Sequence, residues 1–528
     1  MAQNWRRIGQ RFSSGLLQFA ALALIGLVFF LGVRSERTGF VREVIDPGFR
    51  KLSAPVLNAF RGKPPTVPQI MLELDSAALE SLHELNDRAF SDRHVLSTGN
   101  AVFAGKLRVD GRELPVVISL REGSMIAGSR KQWPLNVRAL PGDTVQGMQT
   151  FDVVPVTDEA PLWSMLLQAM LADQGQACME SGLAEVTLNG KNLGLNALFG
   201  RPDATMLARW SRGSGPVLRF DDDLALNASN AMAQRSFPST PPPQGDWLSA
   251  PLLLHSANDA RLTARARKAI QRIEAFRNGT LMASQVFDHQ DLARTMALCD
   301  LLGTTAALDW WNLRFLVDSV SEELVPIPLH INEHGPISGS LAEGPPQGAA
   351  TDMPARALVD RAMKDPLIQG AYIAYLDTFS AQGWWEAARE RTRTRWEYAR
   401  RVVTAQLPRS SLDLSIVEHD RSLIQQALHP RDVLLAYISD TLAATDGVVI
   451  ANVHSLATEI IGVTLTTGDT TWLSTPLRLE PRQRDKPLRY TFLPLSVPGS
   501  PREVLVRIGP TLRPRAVRIR TWSSFGAN

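Results

Sequence analysis

Alternation of apolar and polar positions marks the first half of the chain. Ala101–Val109 and Leu114–Leu120 alternate on either side of Asp110-Gly111, and Ala184–Leu188 and Asn192–Leu198 flank Asn189-Gly190. Both dipeptides tolerate positive φ at two successive positions, so each pair predicts a tight β-hairpin. Ile70–Leu74 opens the folded part, and Trp133–Leu140 reads as a further strand. Apolar residues at helical spacing predict helices over Ser76–Phe90 and Pro161–Gly175.

Helical spacing takes over further on, as in Ala260–Asn278 and Phe287–Leu308, broken by a strand pair over Leu313–Asp318 and Leu324–Ile331. Then short apolar runs return: Gly447–Val453, Glu459–Thr466, Thr471–Leu479, Arg489–Val497, Glu503–Gly509 and Ala516–Trp522. Such strands between turn residues predict a small all-β sandwich. Pro-rich or Gly-rich loops are expected over Ser236–Asp246 and Gly335–Pro354. The fold class expected is α+β.

The run Leu16–Val33 carries no charge and follows Arg6, Arg7 and Arg11. Its length matches a hydrocarbon core. No small-residue cleavage site directly follows it, so an uncleaved transmembrane helix is expected rather than a signal peptide. No second run is comparable, which puts the rest of the chain on one side. The expected location is the bacterial inner membrane, single-pass, with the bulk of the chain in the periplasm. The expected division is 1–15 cytoplasmic basic leader, 16–33 transmembrane helix, 34–66 stalk, 67–440 main domain and 445–528 β-sandwich. The net charge of +3 over 528 residues is too mild to argue for nucleic acid. Two cysteines, Cys178 and Cys299, allow one disulfide in an oxidising compartment, and two separately buried thiols are the expected state.

Candidate chemistry is sparse. His330, Asn332, Glu333 and His334 crowd into five positions. Pro326 and Pro328 keep that segment extended, so His330, Asn332 and His334 would share a strand face, as metal ligands or as the lining of a polar pocket. Asp221-Asp222-Asp223 reads as a cation site or a solvated turn. The segment Gly123–Trp133, with Arg130 and Lys131, reads as a phosphate-cradling loop or a hairpin tip. Two helices are basic: one holds Arg261, Arg265, Arg267, Lys268 and Arg272, the other spans Trp384–Arg401. The second interleaves Trp385, Trp396 and Tyr398 with arginines that have Glu386, Glu390 and Glu397 as helix neighbours, the pattern of an amphipathic helix. Walker A, H-E-x-x-H, G-x-S-x-G and C-x-x-C motifs are absent from the sequence.

Five segments in order, Trp133–Leu140, Val186–Leu195, Leu218–Asp223, Trp310–Asp318 and Pro326–Gly335, resemble the recurring pieces of the CotH family, the kinase-like proteins named for spore coat protein H. The resemblance covers roughly residues 70 to 410 and implies an atypical-kinase-like domain of antiparallel hairpins plus a helical block. It also implies ATP, Mg²⁺ or Mn²⁺ and phosphoryl transfer, which rests on positioning and charge neutralisation. Carried over by position, Arg138 stands at the nucleotide-facing lysine, with Lys131 as a second nucleotide-binding residue. Asp309 and Asn312 take the catalytic positions, and His330, Asn332 and Glu333 fall at the metal position. Asp203 and Asp222 align with acidic positions. Asn196 replaces the tyrosine of the hairpin motif, and a histidine replaces the metal carboxylate, although hard cations prefer oxygen. The expectation is therefore a degenerate, pseudokinase-like binding or scaffolding component of the cell envelope, with an envelope protein or a glycan as partner and no nucleic acid. The alternatives are an active atypical kinase acting on an envelope protein, and an accessory subunit of exopolysaccharide assembly.

Overall fold

Both hairpins form where the turn dipeptides place them. Asp110 and Gly111 adopt φ of 50° and 73°, and Asn189 and Gly190 adopt 47° and 76°, as a two-residue primed turn requires. The structure, a computed structural model, describes residues 65–92, 94–97, 100–124, 133–210, 215–227, 247–254, 260–329, 331, 334–340, 356–407, 412–438, 447–482, 486–495, 499–509 and 512–521.

Strand β1 (Gln69–Leu74) leads into helix α1 (Ser76–Asp92) and the short β2 (His94–Val95). The first hairpin is β3 (Phe103–Val109) and β4 (Arg112–Leu120); β5 (Gly123–Ser124) pairs with β2. Strands β6 (Leu135–Ala139) and β7 (Thr150–Pro155) follow, then helix α2 (Ala160–Asp173) and the second hairpin, β8 (Ser181–Leu188) and β9 (Lys191–Gly200). Seven of these strands close into a barrel in the order β1-β3-β4-β6-β7-β9-β8. The closing seam is the parallel pairing of β1 with β8, and the Asn189 side chain secures it through Leu74 N and Leu74 O at 2.8 and 2.7 Å. Alternate residues such as Ile70, Leu107, Ile118, Val137, Phe151 and Val186 fill the barrel with Leu82 and Ala89 of α1.

Beyond the barrel lie α3 (Ala204–Leu207), β10 (Val217–Phe220), β11 (Leu252–Leu254), α4 (Ala260–Arg277) and α5 (His289–Leu301). Then come β12 (Leu313–Val317), β13 (Leu324–Pro328), α6 (Ala357–Ala362), α7 (Pro366–Ser380), α8 (Gln382–Gln406) and α9 (Ser415–Leu428). Strands β11-β10-β12-β13 form a four-stranded sheet. The remaining strands are β14 (Leu434–Ile438), β15 (Gly447–Asn452), β16 (Thr458–Leu465), β17 (Thr470–Leu479), β18 (Thr491–Pro494), β19 (Pro501–Ile508), β20 (Arg515–Arg518) and β21 (Arg520–Thr521). They make two four-stranded sheets, β18-β15-β14-β21 and β17-β16-β19-β20. One continuous core joins Val154 and Trp163, the helical block, and Ile450, Val463 and Val506 of these last sheets.

Three expectations need correction. The chain is a mixed α/β structure with a closed barrel and several sheets, not the expected α+β plan of a kinase-like domain of hairpins plus a helical block. The hairpins are drawn into a barrel because β1 reaches across to β8, a pairing that no local pattern announces. Among the described residues no helix is long and apolar enough to cross a membrane, which leaves the single-pass membrane description without structural support. The span 16–33 itself lies outside the described residues. Kinase and ATP-binding assignments likewise find no support in this architecture.

Candidate functional site

Charged side chains gather where the barrel meets the sheet β11-β10-β12-β13. In β7, Phe151 and Val153 point into the barrel and Asp152 points out, with 1% of its surface exposed. Its carboxylate accepts from Arg201 Nε at 2.9 Å and Asn136 Nδ2 at 2.8 Å, and lies 3.6 Å from Arg121 Nε. Arg121 follows the end of β4, and Arg201 follows the end of β9, so three barrel strands converge on one acid.

The facing sheet supplies two more cations. Arg219 in β10 and Arg314 in β12 are direct cross-strand partners, and both are buried. Like charges directly opposite on neighbouring strands repel. Arg219 reaches Glu122 at 3.3 Å. Arg314, only 6% exposed, has no carboxylate in contact among the described residues; its Nη1 donates to Trp311 O and Leu313 O at 2.8 and 3.0 Å. Buried Nε of Arg314, and buried Nε and Nη1 of Arg121, find no hydrogen-bond partner. A buried donor without a partner costs about 1–3 kcal/mol, more when charged.

The electrostatics record the strain. Burial, then repulsion from Arg219 and Arg201, pushes Arg314 down to about 9, against the pull of Asp222 and Glu122. Burial also lowers Arg121, opposed by Asp152. Arg201 is lowered by burial too, but the charge and hydrogen bond of Asp152 outweigh it and hold the group above its ordinary value. Burial raises Asp222, although Arg314 and Arg219 pull it back. Among the described residues, four guanidinium groups therefore face three carboxylates, Glu122, Asp152 and Asp222, of which one resists ionisation.

Next to the cluster, Asp221, Asp222 and Asp223 bring carboxylate oxygens within 4.8 Å of one another. The solvated-turn expectation fails for Asp223, which is buried and accepts from Ser97 N at 2.7 Å and Ser97 Oγ at 3.0 Å. Asp221 accepts from the Asp223 amide at 3.1 Å. These bonds account for the turn itself and do not point to an ion.

The residues singled out in the sequence are dispersed. Arg138 sits on β6 with its side chain on the exposed outer face of the barrel. Asn312 donates to Ala306 O at 2.8 Å, and its amide bonds to Asp309 O, so the two form a tight turn before β12. Asp203 accepts from Thr150 N and Met206 N and fixes the start of α3. His334 stacks on Trp163 at 5.0 Å and lies 3.8 Å from Glu159; burial lowers its pKa. Lys131, His330, Asn332 and Glu333 lie outside the described residues. Cys178 and Cys299 are both free; burial pushes the Cys178 thiol up to about 11 and the Cys299 thiol higher still. Asp173 pairs with Arg391, and Glu390 and Glu397 pair with Arg393 and Arg400 on α8, while Trp385 and Trp396 are buried.

The sequence reading missed the cluster, though a signal was present. Val217–Phe220 and Leu313–Val317 are wholly buried strands, each with one arginine in an otherwise apolar run. A charge in such a strand must find compensation. No protein-family model matches the chain, and no curated protein matches it.

Proposed function

We propose that the chain is a binding protein whose seam between barrel and central sheet takes a multiply charged oxyanion, a phosphate-bearing or polycarboxylate ligand. The observation that carries the reading is the pair Arg219 and Arg314, buried, directly opposite each other, with Arg314 Nε and Arg121 Nη1 left without a hydrogen-bond partner among the described residues. An oxyanion placed among them would accept those donors and cancel the repulsion, in the forked geometry that guanidinium groups favour. Two segments that carry the CotH resemblance border the seam, since Arg219 and Asp222 lie in Leu218–Asp223 and Arg314 lies in Trp310–Asp318. The reading concerns binding; it assigns no phosphoryl transfer.

The test is a thermal melt of the full chain with inorganic phosphate, pyrophosphate or citrate, against sodium chloride at matched ionic strength. A ligand that binds only the native state raises its stability by about 2.7 kcal/mol at a hundredfold excess over Kd. At least one of the three anions should raise the Tm. The variant Asp222→Asn removes the carboxylate that acts most strongly on Arg314 and should tighten binding several-fold. The wild-type protein should gain affinity in the same sense as the pH falls into the carboxylate range. Burial raises the folded pKa of Asp222, so its negative charge is lost above the ordinary carboxylate range and the arginines are left in greater excess. Three melting curves that coincide with the chloride control would end the proposal.

A further inference from the structure

The outward face of the sheet β17-β16-β19-β20 carries one uncovered aromatic ring. Trp472 on the edge strand β17 is 62% exposed, against exposure below 2% for Trp133, Trp163, Trp310 and Trp385. Opposite it in register stands Gly462, beside a bulge in β16. A Cβ on Gly462 would come within 3.3 Å of the indole Cε3 and 2.8 Å of Thr471 O. The missing side chain therefore lets the indole lean over the strand, and Gly462 is buried beneath it.

Register sets what surrounds the ring. The same row continues from Gly462 to Leu505 and Ala516 on β19 and β20. On one side runs the row Thr470, Thr464, Glu503 and Arg518. On the other run Arg478, Glu459 and Arg507, with Arg507 Nε donating to Glu459 at 2.8 Å. Trp472, Gly462, Leu505 and Ala516 thus form an apolar row, flanked directly on one side by hydroxyl, carboxylate and guanidinium groups and, beyond the register shift between Ile460 and Gly462, by a second charged row on the other.

That chemistry selects the occupant. A stable protein partner wants roughly 800 Å² a side with an apolar centre, and one ring in a narrow strip is a poor anchor for it. Nucleic acid wants uniform positive charge, and Glu459 and Glu503 oppose it. A pyranose ring offers an apolar face of C–H groups that sits well on the electron-rich face of an indole. Its rim of hydroxyls both donates and accepts, which suits mixed rows of Thr, Glu and Arg. We infer that this sheet face is a glycan-binding platform, with Trp472 as the stacking ring, Gly462 as the residue that allows its pose, and neutral polysaccharide as the ligand class. The inference is independent of the seam, because it uses a different sheet and an uncharged ligand.

Affinity gel electrophoresis of the full chain would test it, with hydroxyethyl cellulose, xylan, glucomannan or dextran in the gel. At least one polymer should retard the protein. Trp472→Ala should weaken that retardation by about tenfold or more, as loss of a central aromatic anchor does, with Tm unchanged because the ring is exposed. Trp472→Tyr should keep part of the binding. Gly462→Val should weaken it by displacing the ring, and Arg314→Met should leave it intact. No retardation by any of the four polymers, or equal retardation of wild type and Trp472→Ala, would overturn the inference.

Discussion

Replacing Asp152 by alanine should destabilise the protein by roughly 3–5 kcal/mol, the range seen when one partner of a buried ion pair is removed. The carboxylate is 1% exposed and holds Arg201 Nε at 2.9 Å, with Arg121 Nε at 3.6 Å. Removing it leaves two buried guanidinium groups facing Arg219 and Arg314 with only Glu122 and Asp222 to compensate. Asp152→Asn should cost less, since an amide oxygen can still accept from Arg201, though without the charge. The measurement is urea unfolding, read as a shift in midpoint at constant slope. A midpoint for Asp152→Ala within error of wild type would show that the cluster is hydrated, and the electrostatic account of the seam would then fail.

Arg314→Met should act in the opposite direction. Methionine fills a similar volume without a charge, and replacing buried ionic groups by apolar ones of matching shape is often neutral or stabilising by about 1–4 kcal/mol. Arg314 is a strong case, because burial and two neighbouring arginines push its pKa down to about 9. A residue that costs stability in the free protein is expected where function requires it. The variant should therefore melt at or above the wild-type temperature without ligand, and lose the rise produced by the oxyanion. Losing one or two charge-assisted hydrogen bonds should weaken binding by about 2 kcal/mol or more, roughly 30-fold. A sharp fall in ligand-free stability would assign Arg314 a purely architectural role in tying β12 to its loop.

Together the two substitutions separate a cluster that holds the fold from one that awaits a ligand. Asp152 serves the barrel side and is fully engaged. Arg314 serves the sheet side and keeps an unused donor. The two sides differ in their compensation: Asp152 holds Arg201 directly on the barrel side, whereas Arg314 on the sheet side bonds only backbone carbonyls among the described residues.

Local structure was legible in the sequence because local physics writes it there. Asp110-Gly111 and Asn189-Gly190 fix two hairpins through positive φ, and helical spacing placed α1, α2 and α4 nearly to their ends. Strand β7 went unread because TFDVVP is buried on both faces and so shows no alternation, and β14 was not read as a strand either. Barrel closure could not be read either, since β1 and β8 are separated by more than a hundred residues and pair in parallel, which no turn signal marks. The seam depends on the same long-range geometry. Arg121, Arg201, Arg219 and Arg314 stand on four strands or their ends, and each taken alone looks like an ordinary arginine. The sequence by itself determined the turns, the strand faces and the helical surfaces. Only the tertiary structure decided which charges meet in the buried seam, because burial and cross-strand register, not residue type, turn an arginine from a solvated cation into one that needs compensation.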